Sequence, residues 1–157
     1  MRLGHPAVVH FPIACWVLAA LLDGAALAGL GGAVGAADPA AIAAFLVWTG
    51  LAFAVGAVVT GLVDYSRLPP AVRDSLTLTR HVGWMAAAST LFFVAALLRP
   101  PLGAAPAPLI VSLEVLGTLA LVAGGHHAAS VVFCLLPSVR ASTDAPSDLV
   151  TTEESES

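Results

Sequence analysis

Lysine is missing from this chain of 157 residues; all six basic residues are arginines. Only 10% of the residues are charged and 6% are aromatic. A soluble domain carries roughly a quarter of its residues as charged side chains, so a water-solvated globule is excluded. No basic stripe runs along any segment, which removes nucleic acid from the list of partners. Cysteine is nearly absent too. Cys15 and Cys134 lie in apolar runs without C-x-x-C spacing, which leaves no disulfide framework and no c-type haem attachment signal, so both read as reduced packing residues. A phosphate loop, a nucleophile–base constellation and a soluble catalytic domain are all lacking, so the chain does not read as an autonomous enzyme.

What is present is apolar: 59% hydrophobic residues and a mean hydropathy of +0.94. A lipid-spanning helix needs about 20 predominantly apolar residues. Four stretches meet that length, over residues 8–30, 40–63, 80–98 and 108–136, interrupted by Asp23 in the first and Glu114 in the fourth. Small residues dominate them, which favours close helix approach in lipid. Glycines after the first stretch, Leu68-Pro69-Pro70, and the prolines between 100 and 106 mark the connections. The fourth stretch exceeds one span and is expected to tilt or fray near its end. Residues 72–79 read as a helical lead-in to the third span. The expected architecture is all-α, an up-and-down four-helix integral membrane bundle over residues 1–140. A Ser/Thr/Glu-rich acidic tail, 141–157, holds five of the ten acidic residues behind the chain's net charge of −4 and is expected to be disordered.

Histidine is the informative residue type. His5 and His10 open the first span, His81 opens the third, and His126 and His127 lie in the far half of the fourth. Alternating span direction puts all five at one end. Imidazoles in a membrane segment are costly and mark function by default. Pro12 withholds an amide from Val8, and such irregular backbone is tolerated only in protein or beside water. His5 reads as an interfacial helix start. His81 lies three residues before Trp84 on nearly the same helix face. His126 and His127 are adjacent and diverge by about 100 degrees, so one of them faces the interior. Asp64, closing the second span on the same side, reads either as an acid that orients an imidazole or as a partner of Arg67. Asp23 and Glu114 fall towards the opposite end, where they meet each other or a hydroxyl such as Ser112, or mark a proton path.

In a sequential bundle the first and third spans are diagonal. His10 and His81 then reach a common centre from opposite walls, as bis-histidine ligation of haem b requires. A mononuclear zinc or copper ion asks instead for three or four converging ligands, with His126 or His127 joining His10 and His81. Both geometries are open at this point.

The local strings are also similar to those of a known family. His5-Pro6 through His10-Phe11-Pro12-Ile13-Ala14 resembles the opening of the bacterial membrane proteins grouped as domain of unknown function 2231 (DUF2231). Thr60-Gly61-Leu62-Val63-Asp64-Tyr65-Ser66-Arg67-Leu68-Pro69 resembles a second stretch of that family, and His81 matches its third-span histidine. The likeness covers roughly residues 5–130. It implies a four-span membrane protein related to di-haem cytochrome b-like bundles, and it implies no established activity. His126-His127-Ala128-Ala129-Ser130 departs from the polar and aromatic stretch ending in histidine that family members carry after the last Gly-Gly.

The sequence therefore points to a membrane protein that binds haem b or a transition metal for electron transfer, with a redox partner. His10, His81, His126 and His127 are the candidate ligands and Asp64 the orienting acid. Two rival expectations are a non-enzymatic scaffold that packs small-residue faces, such as Gly50-x-x-x-Ala54, against partner spans, and a small transporter that uses Asp23 and Glu114. Arg2, Arg67, Arg73, Arg80 and Arg140 fall on the histidine side and Arg99 alone on the other. That asymmetry places both termini in the cytoplasm of a cell that carries the protein in its inner membrane. A cleaved signal peptide ending near residues 34–37 is the lesser alternative, because the first run is too long and too interrupted.

Overall fold

A computed structural model of the chain describes residues 4–30 and 38–138, with side chains from Val8 onward. The segment 31–37, the acidic tail, Arg2, Arg140 and the His5 side chain lie outside the described residues. Four long helices, α1 (Gly4–Leu27), α2 (Pro39–Tyr65), α4 (Leu76–Leu98) and α5 (Ala107–Ser130), form the body, with a single-turn helix α3 (Pro70–Arg73) before α4. No strand occurs among the described residues. Each long helix is long and apolar enough to cross a membrane.

Local chemistry sets the helix ends. The Asp38 carboxylate accepts the Ala40 amide at 3.0 Å and Pro39 occupies the first turn, so α2 starts where its unpaired amides are met. Ser75 does the same for α4, accepting the Leu78 amide at 3.3 Å. Helix α1 ends on Gly29, whose φ of 79° permits the Leu30 amide to reach back to the Ala25 carbonyl at 2.8 Å. Pro12 does not break α1, which runs through it. The lead-in expected over 72–79 is divided: α3 stops at Asp74 and α4 begins at Leu76. At its far end α5 passes into a π-helical turn, Val131–Leu135. That turn brings Val131 and Leu136 onto Val72 of α3 in a small apolar cluster.

Helices α1 and α2 pack along their length, as do α4 and α5; α1 also touches α5, and α2 touches α4. Thus α1 and α4 stand diagonally. The core contains Trp16 and Ala19 of α1, Ala43 and Val47 of α2, Ala88, Phe92 and Ala96 of α4, and Ala120 and Leu121 of α5. The Trp16 and Phe92 rings stack with centroids 4.8 Å apart, and Trp16 Nε1 donates to the Val47 carbonyl at 3.3 Å. Outward positions such as Phe45, Val55, Leu116 and Val122 are exposed apolar side chains, as a lipid-facing surface requires. Packing is uneven along the bundle axis. Beyond Gly50, α2 has no buried residue, and α4 has none before Ala88.

Candidate functional site

Two groups of polar side chains stand out, one at each end of the bundle. At the first end, α4 carries a stripe of inward positions, His81, Met85, Ala88 and Phe92, spaced three or four apart. His81 is half-buried, and its Nδ1 lies 2.8 Å from the Gly124 carbonyl oxygen of α5. This approach depends on the absence of a side chain at Gly124. A Cβ there would lie 2.9 Å from Met85 Sδ and 3.3 Å from Trp84 Cβ. On α5 the buried stripe Gly117, Leu121, Gly124 leads to half-buried His127, whereas His126 is exposed. Their rings stand edge to face, 5.8 Å apart. His10 is exposed on α1, and Asp64 is half-buried at the end of α2. Among the described residues neither an imidazole nor Arg67 pairs with the Asp64 carboxylate, and no three His, Cys, Asp or Glu side chains converge on one point.

The second group is tightly built. One guanidinium nitrogen, Arg99 Nη2, donates both to Asp23 Oδ2 and to Glu114 Oε1, the latter at 2.6 Å. Asp23, Arg99 and Glu114 are 8%, 6% and 0% exposed. Burial works against the charge on Arg99, but the hydrogen bond to Asp23 and the attraction of both carboxylates outweigh it and raise its pKa above the ordinary arginine value. Such a guanidinium stays charged at any physiological pH. The triad borders a cavity of about 620 Å³ between α1, α2 and the α4–α5 connection, lined by Asp23, Arg99, Asp38 and small apolar residues such as Ala26 and Ala44.

The sequence leaves open whether Asp23 and Glu114 meet each other, meet a hydroxyl or mark a proton path, and it counts Arg99 only as the one arginine on that side; in the structure Arg99 joins the two acids. Ser112, the suggested hydroxyl, instead donates to the Pro108 carbonyl at 2.7 Å on its own helix. The signal for Arg99 was its register, seven residues after Phe92 on the buried stripe of α4. The turn after α4 completes the placement, with the Gly103 amide on the Arg99 carbonyl at 2.8 Å and Ala105 on Leu98 at 3.1 Å.

Comparison with known proteins agrees with a membrane protein. The family model described as a predicted membrane protein, DUF2231, matches residues 4–136, and the chain belongs to that family. No curated protein and no solved structure matches it.

Proposed function

We propose that this DUF2231 membrane protein binds haem b, or failing that a transition-metal ion, at the histidine end of its bundle and serves electron transfer. The contact between His81 and Gly124 carries the reading. A carbonyl oxygen only accepts, so His81 Nδ1 holds a proton, and in the neutral ring Nε2 presents its lone pair. That is the tautomer in which an imidazole ligates a metal while a backbone carbonyl fixes the ring. The donor set fits two-ligand haem ligation better than a mononuclear zinc or copper centre, which needs a convergence not found among the described residues.

His81 is the first ligand. His127, half-buried on the inward stripe of α5, would supply the second, with His10, on the diagonal helix but exposed, as its alternative. His126 faces out and Asp64 completes the polar lining. Bound haem supplies one-electron chemistry. The protein holds the His81 ring through Gly124 and keeps the surroundings apolar through Met85 and the small residues of α5.

We propose further that this end and both termini face the cytoplasm of a bacterial inner membrane. Arg67 and Arg80 are exposed on that side, whereas Arg99, the opposing arginine, is buried and neutralised. Its removal from the exposed charge strengthens the arginine asymmetry. The test is an absorbance spectrum of protein expressed with ample haem, before and after dithionite. A Soret band that His81→Ala abolishes and His126→Ala leaves intact is expected. A colourless, metal-free and folded preparation refutes the proposal.

A further inference from the structure

We propose that Asp23, Arg99 and Glu114 form a proton-binding site. In it one proton is shared by the two carboxylates and exchanges, through the neighbouring cavity, with the membrane face opposite the histidines. The site lies at the other end of the bundle from His81 and stands independently of cofactor binding.

Charge balance comes first. Two carboxylates on one guanidinium sum to −1, and that charge is buried where solvation is poor. An uncompensated charge in a membrane interior is the costly case, and breaking or unbalancing a buried pair destabilises strongly. One added proton brings the sum to zero. Arg99 compensates one of the two carboxylates and leaves one negative charge over, so the added proton belongs to the pair they form on a common donor.

The second observation is independent of the count. Glu114 Oε2 and Arg99 Nε are both buried and make no hydrogen bond, although their side chains are 0% and 6% exposed. Glu114 therefore keeps an oxygen available to a proton while its other oxygen is anchored on Arg99. The charged groups around it are Asp23 from α1, Arg99 from the end of α4, and Asp38 from the start of α2 across the cavity. Asp38 adds negative charge to that wall, which draws cations rather than anions towards the site. The cavity adjoins the triad at Asp23 and Arg99, so a proton reaches the carboxylates from this end without passing the Trp16–Phe92 core.

Infrared difference spectroscopy of the full chain in lipid tests this directly. Wild-type protein at neutral pH is expected to show one protonated carboxyl stretch that shifts in D2O. Glu114→Gln and Asp23→Asn should each abolish it, because each leaves a balanced one-to-one pair with Arg99 that preserves folding. Arg99→Gln, if it folds, should double the band. Ala44→Phe, which fills part of the cavity, should slow the deuterium shift several-fold. Absence of the band in wild type, its survival in both carboxamide variants, or its replacement by a Na+-dependent gain in stability overturns the site. An unchanged exchange rate in Ala44→Phe overturns the route.

Discussion

Gly50 sits where α2 meets the Trp16 ring. A Cβ built there would lie 2.5 Å from Trp16 Nε1, 2.6 Å from Cδ1 and 3.1 Å from Cε2. The ring cannot simply swing aside. It is held on one side by the Val47 carbonyl at 3.3 Å and on another by the Phe92 stack. Phe92 is pinned in turn, since a Cβ at Gly117 would approach its Cε2 to 2.7 Å. Relief therefore costs the hydrogen bond, about 1 kcal/mol, or the ring pair, about 0.5–1.5 kcal/mol, or a separation of α1 from α2. Overpacking of this kind costs about 1–3 kcal/mol in total. Gly83 of α4 offers the control, because a Cβ there meets nothing within 4 Å. An alanine at such a helix position gains up to about 1 kcal/mol from backbone preference alone. Both variants gain that preference, so it cancels, and Gly50→Ala should fall roughly 1–3 kcal/mol below Gly83→Ala when unfolding in mixed micelles is followed by far-UV circular dichroism against rising SDS. Equal midpoints for the two variants would show that the tryptophan is not confined, and the account of the core would fail.

Three further outcomes follow from the same geometry. Ser75→Ala should cost about 0.5–2 kcal/mol through loss of the α4 cap, read as a lower SDS midpoint and faster amide exchange at Leu78. Gly124→Ala should push Met85 and Trp84 away and lengthen the His81 contact. About a 10-fold loss of haem affinity with little change in unfolding is expected in titrations, in the range for support residues behind metal ligands. Alkaline phosphatase fused after Leu102 should be active and after Arg67 inactive; the reverse pattern refutes the proposed orientation.

The four helices were legible because composition decides membrane architecture: long apolar runs with prolines and glycines between them leave the backbone one way to satisfy itself in lipid. Finer structure was less legible where a local signal competes with a distant one. Arg99 precedes Pro100-Pro101, and that loop chemistry hid its place one heptad beyond Phe92. Nothing local marks the π-helical turn after Ser130, because Val131 and Leu136 gain their register from Val72, a distant partner on α3. The two adjacent histidines were left undecided by spacing alone, and it is the glycine face of α5, set by Phe92 at Gly117 and Met85 at Gly124, that turns His127 rather than His126 inward. The triad follows the same rule. Asp23 stands seven residues after Trp16, Glu114 seven before Leu121 and Arg99 seven after Phe92, so all three continue stripes whose other members are core. An ionisable side chain on such a stripe cannot turn to lipid without turning the whole helix, and it must find its counter-charge within the bundle. Pairing among Asp23, Arg99 and Glu114 is thus a consequence of register, and their unequal charge is what makes the end opposite the histidines a place for a proton.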